Sequence, residues 1–251
     1  MEIIIKTKKQ IDGIRESCKL AGNVLKHIKQ FIEPGVSTNF VNEKANDFII
    51  EHNAKSACLN YHGYPKETCI SINEEVCHGI PSNRILEEGD IVKIDVANIL
   101  NDYYGDNCAT FPVGNINEEA SNLIETTKAC LNRGIEEVYP GNLFDNIGYE
   151  ITKLAYSRDY SVVYQLCGHG VGLQFHEPPQ VNHYVPEKPT DGLKMKEGMI
   201  FTIEPMINCG QPTAVISEAD HWTASTTDKR LSAQFEHTVL VTSNGHEILT
   251  L

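Results

Sequence analysis

Two carboxylates interrupt stretches of sequence that otherwise have the pattern of buried β-strands. Asp95 lies in the mainly apolar segment 91–97, and Glu204 lies in the mainly apolar segment 199–206. A carboxylate is costly to bury in such a strand unless it is paired, hydrogen-bonded or bound to a metal ion. Both positions are therefore candidates for chemistry rather than for packing.

Asp106 follows Asp95 by eleven residues, and the turn-forming residues Asn101 and Asp102 lie between them. A hairpin that turns midway between the two aspartates would set them directly opposite each other, with Cβ atoms about 5 Å apart. Two carboxylates at that separation repel each other, so they require a cation or a proton. The spacing therefore predicts a cation site on this hairpin.

The second half of the chain carries a similar pair. Glu204 and Glu236 flank a polar segment centred near residue 220, and His169 lies in the glycine-rich sequence Gly-His-Gly-Val-Gly at 168–172. Four carboxylates and one imidazole form a thiolate-free ligand set that suits Mn, Fe, Co or Zn. Several carboxylates in one set favour two metal ions over one, as in metal-assisted hydrolysis.

Other catalytic motifs fit poorly. His176-Glu177 begins like H-E-x-x-H, but Pro178 and Pro179 are incompatible with the required helix, and Gln180 replaces the second histidine. The sequence has no G-x-S-x-G and no Walker A motif. These differences exclude a zincin, a serine hydrolase of that type and a P-loop nucleotide hydrolase.

Composition limits the possible partners. The 251 residues carry a net charge of −13, which argues against binding to nucleic acid or to an anionic membrane. The eight cysteines form no C-x-x-C pair, and no stretch approaches the roughly 20 apolar residues of a membrane span. We expect a soluble protein with reduced thiols and a cytoplasmic location, since the first residues do not read as a signal peptide.

Hydrophobic periodicity predicts the order helix, helix, strands, helix, helix, strands. The predicted helices cover residues 10–31, a segment capped by Ser37-Thr38, and residues near 120–138 and 144–155. Pro34-Gly35 recurs as Pro140-Gly141, and the segment 88–95 recurs as 197–204. We therefore expect an α+β domain spanning 1–251, with related halves at about 10–115 and 116–251 and a shared site between them.

The chain resembles the type I methionine aminopeptidases of the pita-bread metallopeptidase family almost from end to end. The most specific matching segments are 63–65 (GYP), 69–74 (CISINE), 77–81 (CHGIP), 168–172 (GHGVG), 201–205 (FTIEP) and 231–238 (LSAQFEHT). The resemblance implies the pita-bread fold, in which two pseudo-twofold related halves form a central curved antiparallel sheet covered by helices. It also implies removal of the initiator methionine from nascent proteins and peptides with a small second residue.

The resemblance further implies a role for each candidate residue. Two divalent ions would be bound by Asp95, Asp106, His169, Glu204 and Glu236, with Asp106 and Glu236 bridging them. A bridging water would attack the first peptide bond while Glu204 shuttles its proton. His176 would stabilise the oxyanion, and His78 would contact the scissile amide.

The implied methionine pocket is apolar, aromatic and sulfur-bearing, which suits a thioether side chain. It consists of Cys58, Tyr61, Tyr64, Cys69, Phe175 and Trp222, with His78 and His176 at the reacting end. Asn73 and Ser232 match positions that hold a monovalent cation, Na or K, in relatives. The chain departs from the family at Asn107-Cys108 and at Pro178, where other residue types are usual.

Two alternatives share parts of this pattern. X-prolyl aminopeptidases and prolidases have the same five ligands, but usually carry an extra N-terminal domain for which this chain has no room. A non-catalytic pita-bread binding module would tend to lose ligands, whereas all five are present here. The resemblance is consistent with a monomer that makes transient contact with the ribosome.

Overall fold

The computed structural model describes residues 3–251, in which four α-helices appear where the periodicity predicts them. They are α1 (Lys8–Ile28), α2 (Thr38–Glu51), α3 (Glu118–Glu136) and α4 (Asp145–Ser157), and short 3₁₀ turns cover Lys29–Phe31 and Tyr61–Gly63. Ser37 caps α2 by accepting a hydrogen bond from the Phe40 N–H, as its residue type predicts. Asn117 caps α3 in the same way through the Ala120 N–H.

The strands are short, apart from one long pair. They are β1 (Lys55–Ser56), β2 (Cys69–Ile72), β3 (Glu75–Cys77), β4 (Ile91–Leu100), β5 (Tyr103–Pro112), β6 (Ser161–Val162), β7 (Gly168–Gly170), β8 (Glu177–Val181), β9 (Ile200–Ile203), β10 (Met206–Asn208), β11 (Ala214–Ile216), β12 (Ala224–Thr226), β13 (Ser232–Gln234), β14 (His237–Val241) and β15 (His246–Ile248). All strand pairs in the described part of the chain are antiparallel.

Each half of the chain has its own main sheet and hydrophobic core. In the first half β4 pairs with β1, β2 and β5, and the apolar faces of α1 and α2 pack against this sheet. In the second half the sheet order is β15-β14-β9-β7-β8, and α3 and α4 pack against it. Helices covering antiparallel sheets in this way confirm the predicted α+β class.

The long hairpin of β4 and β5 differs from the predicted register. Its tight turn is Asn101-Asp102, and both residues have positive φ (50° and 67°), as a two-residue type I′ hairpin requires. The turn centre is thus one residue later than predicted, so Asp95 pairs with Cys108 and Asp106 pairs with Ala97. The expectation that Asp95 faces Asp106 directly is wrong. The two aspartates are diagonal neighbours on the same face of the hairpin.

The predicted internal repeat appears in the backbone hydrogen bonds. The Gly35 N–H donates to Leu86 O at 2.8 Å, and the Gly141 N–H donates to Met195 O at 2.9 Å. The two glycines have φ of 94° and 87°, a conformation that glycine adopts without steric cost. The Pro-Gly turns of the two halves are therefore held by equivalent bonds to the segments that precede β4 and β9.

No helix in residues 3–251 combines the length and the apolar character that a bilayer crossing demands.

Candidate metal centre

The two halves of the fold meet around one cavity of about 480 Å³. Thirteen of the fifteen site residues predicted from the sequence line it: Cys58, Tyr61, Tyr64, Cys69, His78, Asp95, Asp106, His169, Phe175, His176, Glu204, Trp222 and Glu236. The two that do not line it are Asn73 and Ser232, which the resemblance assigns to a separate cation site. The cavity thus joins the predicted ligands and the predicted substrate pocket.

The five predicted ligands come from separate strands of both sheets. Asp95 is on β4, Asp106 on β5 and His169 on β7. Glu204 directly follows β9, and Glu236 directly precedes β14. Pairing of β9 with β14 continues in the same register between β10 and β13, which places Glu204 across from Glu236. Glu204 and Glu236, the second predicted carboxylate pair, therefore face each other across the sheet, although no direct hairpin joins their strands.

Ligand atoms converge at the base of the cavity. One ligand atom each from Asp106, His169 and Glu236 lie within 4.8 Å of one another. The Nε2 atom of His169 is 3.6 Å from Asp106 Oδ2 and 3.7 Å from Glu204 Oε1. These separations suit atoms that share a cation between them rather than a direct hydrogen bond.

Two carboxylate oxygens in this cluster have no protein partner. Asp106 Oδ1 and Glu236 Oε1 are fully buried, and neither accepts a hydrogen bond within residues 3–251. A buried anionic oxygen without a donor is strongly unfavourable. The cluster therefore fits one or more divalent cations, which would supply the missing positive partners.

Burial and mutual repulsion change the proton affinities of the cluster. Burial raises the pKa of Asp95 to about 7 and that of Glu204 to about 8. The pKa values of Asp106 and Glu236 are raised well above the ordinary range by burial and by the neighbouring carboxylates. Carboxylates that hold protons at neutral pH in the absence of a cation will release them when a divalent ion binds.

The orientation of His169 is set by its neighbours. Its Nδ1 pairs with the Gly170 carbonyl oxygen at 3.0 Å, which leaves Nε2 facing the carboxylates. Burial lowers the pKa of His169 to about 4, so the ring is neutral at physiological pH. A neutral imidazole that donates Nδ1–H to a carbonyl and presents Nε2 is the usual arrangement of a histidine ligand.

Three residues that the sequence analysis missed hold the ligands in place. Thr202 accepts the His169 N–H at 3.0 Å and donates to Glu204 Oε1 at 2.8 Å, so one hydroxyl orients two ligands. Gln234 Nε2 donates to Glu204 Oε2 at 3.3 Å, and His183 Nε2 accepts the Glu204 N–H at 3.1 Å. The sequence signal that could have revealed Thr202 and Gln234 is that both are polar residues within apolar strand segments.

Aromatic rings form the wall above the ligand cluster. The His176 ring lies 4.0 Å from the His169 ring and stacks on Tyr61 at 5.1 Å, measured between ring centroids. Shielding of its ring from water and the nearby His169 lower the pKa of His176 to about 3, although the residue as a whole is exposed. Burial also lowers the pKa of His78, so both histidines are neutral N–H donors at physiological pH.

The opposite end of the cavity is apolar. Tyr64, Cys58 and Cys69 are buried there, and the Tyr64 and Trp222 rings meet edge to face with centroids 5.1 Å apart. The Tyr64 hydroxyl donates to the Gly79 carbonyl at 2.8 Å, so its polar end is satisfied away from the cavity. The wall thus presents ring edges and sulfur atoms to a ligand.

The predicted monovalent-cation position is filled by this chain. Asn73 and Ser232 do come together, but the Lys93 amino group donates to both of their carbonyl oxygens, at 2.8 and 3.0 Å. A Na⁺ or K⁺ ion on the same two oxygens would overlap that amino group. This part of the prediction does not fit the structure, and the reason is the lysine at position 93.

The fold and the site together define a class. Pseudo-repeated antiparallel sheets that bring carboxylates and one histidine to a shared centre beside an apolar pocket are the features of a pita-bread metallohydrolase. The chain belongs to metallopeptidase family M24, whose profile matches residues 12–243. Membership of this family implies binding of divalent metal.

Comparison with known proteins shows which members of the family this chain is similar to. The methionine aminopeptidase of Rickettsia prowazekii is 46% identical over 251 residues, covering 100% of this chain and 96% of the relative. A crystal structure of that enzyme superposes with a TM-score of 0.97 and covers 100% of both chains. The prolidase of Pyrococcus furiosus is more distant: its TM-score is 0.79, its identity is 27%, and the match covers 99% of this chain and 65% of that one.

Proposed function

We propose that this protein is a methionine aminopeptidase that removes the initiator methionine from nascent proteins and peptides whose second residue is small. The observation that carries the proposal is the junction of the buried ligand cluster with an apolar, sulfur-bearing pocket in one cavity. Full-length similarity to methionine aminopeptidases supports the same activity.

Asp95, Asp106, His169, Glu204 and Glu236 would hold two divalent ions, drawn from Mn, Fe, Co or Zn. When bound, such ions supply a water of lowered pKa and polarise the scissile carbonyl. Asp106 and Glu236 would be the ligands shared by both ions, and the buried oxygen that each leaves without a protein partner supports this assignment. Thr202 and Gln234 keep the Glu204 carboxylate in place during the reaction.

Glu204 is the group that would move the proton. Both of its oxygens accept hydrogen bonds, from Thr202 and Gln234, so the carboxylate would be held within the ligand cluster, where the attacking water would be bound. The proton accepted from the attacking water would pass to the leaving amine.

The two cavity histidines would act as neutral hydrogen-bond donors. His176 lies against His169 and can donate an N–H to the carbonyl oxygen as negative charge develops on it. His78, whose backbone has a positive φ of 56°, lies near Trp222 and would contact the scissile amide. Each contact orients the first peptide bond over the ligand cluster.

The methionine side chain would occupy the apolar end of the cavity. Cys58, Cys69, Tyr64, Phe175 and Trp222 supply sulfur and ring edges, which make favourable contacts with a thioether. Tyr61 stacks on His176, packs at a tilt against Phe175, and would close the pocket toward the reacting bond. A linear thioether fits such a pocket better than a charged or strongly polar side chain does.

The test is a comparison of three peptides with the metal-loaded protein. We expect free methionine from Met-Ala-Ser, little from Met-Lys-Ser with its large second residue, and no cleavage of Ala-Pro-Ser. Cleavage of Ala-Pro-Ser alone would assign the chain to the prolyl branch of the family. A folded, metal-loaded sample that cleaves none of them would refute an aminopeptidase function.

We further propose a cytoplasmic monomer, organised as one domain whose halves join near residue 115, with transient ribosome contact. The eight cysteines, all free thiols, support a reducing compartment. Similarity to bacterial methionine aminopeptidases supports the role on nascent chains. Sedimentation velocity of the protein, alone and with ribosomes, tests both the monomer and the contact.

A further inference from the structure

Lys93 is a buried lysine whose amino group meets backbone carbonyl oxygens instead of a carboxylate. The residue is 1% exposed, and Nζ donates to Asn73 O at 2.8 Å and to Ser232 O at 3.0 Å. Buried lysines are rare and are usually paired with an acidic side chain. The unusual partners therefore call for a physical explanation.

The two carbonyl groups belong to different halves of the fold. Asn73 lies in the turn between β2 and β3, with a left-handed φ of 53°. Its side chain fixes this turn by donating to Asp90 Oδ1 at 2.7 Å and accepting the Ile91 N–H at 3.0 Å. Asn73 O also accepts the Ser232 N–H at 3.1 Å. The lysine thus completes a rigid junction between the halves.

This junction lies on the chain segments that carry two of the proposed metal ligands. Lys93 is on β4, two residues before Asp95, and Ser232 begins the strand that leads to Glu236. Movement between Asn73 and Ser232 would therefore change the distance between ligands from the two halves. A group that ties these carbonyls together helps to set the geometry of the ligand cluster.

Converging backbone carbonyl oxygens are a typical environment for Na⁺ and K⁺, because they replace the hydration shell of the ion. We propose that the Lys93 amino group takes the place of a monovalent cation at this junction. The chain consequently carries its own junction group and binds no Na⁺ or K⁺ there.

Both protonation states of the lysine serve this role. Burial lowers the pKa of Lys93 to about 7, while the Glu75 carboxylate opposes the shift. An ammonium group has three N–H donors and a neutral amine has two. Two donors are enough for Asn73 O and Ser232 O, so the junction keeps its hydrogen bonds in either state.

The test compares cation dependence in the wild type and in Lys93→Ser, which opens the position. We measure unfolding temperature, with no need for peptidase activity, in KCl, NaCl and tetramethylammonium chloride at matched ionic strength. We expect the wild type to unfold within about 1 °C in all three salts, since no site binds the small cations. We expect Lys93→Ser to unfold about 5 °C lower in tetramethylammonium and to recover several degrees in KCl or NaCl.

Lys188→Ser, at an exposed loop position, is the matched control and should respond like the wild type. A folded Lys93→Ser protein with no cation response would overturn the proposal, as would a wild type stabilised by K⁺ or Na⁺. Crystals of the wild type soaked in RbCl provide a measurement that needs no variant. Anomalous density between Asn73 O and Ser232 O would refute the proposal, and its absence there would support it.

Discussion

Lys6→Met removes one member of a buried ion pair that fixes the segment carrying Phe175 and His176. The Lys6 amino group contacts Glu177 Oε2, and both side chains are 1% exposed. Glu177 Oε1 accepts the N–H groups of Leu173 and Gln174, at 2.6 and 2.9 Å. One glutamate therefore links the N-terminal segment to the loop that turns into the cavity.

The expected loss of unfolding free energy depends on the charge that remains buried in the variant. Removing one member of a buried pair costs about 3–5 kcal/mol, because the remaining charge is buried without compensation. Glu177 keeps two backbone donors, so we expect the lower value, about 3 kcal/mol. For a chain of this length, this corresponds to a decrease in unfolding temperature of about 6–12 °C.

The assay is urea unfolding at a fixed metal concentration, with kcat/KM for Met-Ala-Ser measured well below the unfolding transition. We expect kcat/KM to fall by about tenfold or more, since a misplaced His176 loses alignment with the scissile bond. Lys153→Met is the control. It breaks a pair with Glu150 at 3.8 Å in which the lysine side chain is 61% exposed, and it should cost under about 0.5 kcal/mol.

A double-mutant cycle with Glu177→Gln separates the pair from other effects of each change. We expect a coupling free energy of about 2 kcal/mol between positions 6 and 177. If Lys6→Met is as stable as Lys153→Met, or if the coupling is near zero, the ion pair does not fix this loop.

Three further predictions concern the ligands, the oxyanion donor and a pH-dependent pair. Asp106→Asn and Glu236→Gln should each abolish methionine release, because each removes a bridging charge. Both variants should still be folded by circular dichroism. Unfolding of both would show a structural role instead. His176→Ala should lower kcat by about 10²–10³-fold with a small change in KM, and a rise in KM alone would assign it to substrate binding. The Arg15 hydrogen bond lowers the pKa of Glu247, so their pair stabilises the fold above the unfolded-state pKa and loses this effect as the pH falls. Glu247→Gln should therefore cost under about 1 kcal/mol near neutral pH, since the pair is over one-third exposed, and nothing once the pH is below the folded-state pKa of Glu247, as urea titrations at neutral and at acidic pH would show.

The elements that local sequence dictates were predictable. The helices follow from apolar periodicity, and the α2 boundary follows from the capping residue Ser37. The Pro-Gly turns and the repeated strand segments indicated two related halves. Asp95 and Glu204 stood out because a carboxylate in an apolar strand needs a partner.

Register and long-range contacts were harder to predict. The hairpin register depends on which two residues adopt positive φ, and the prediction centred the turn midway between the two aspartates instead of on Asn101-Asp102. Thr202, Gln234 and His183 orient ligands from strands distant in sequence, so their residue types alone did not indicate this role. Lys93 was detectable by the reasoning applied to Asp95, as a charge inside an apolar strand, but its carbonyl partners depend on the meeting of the two halves.

The measurement that tests the account most directly is methionine release from Met-Ala-Ser before and after metal is stripped and restored. The chelated protein should release none, and addition of Mn, Co, Fe or Zn should restore release in proportion to the metal bound, up to two ions per chain. Ala-Pro-Ser should remain intact throughout. Methionine release that persists after complete chelation, or a folded protein that binds metal without releasing methionine, would contradict the account.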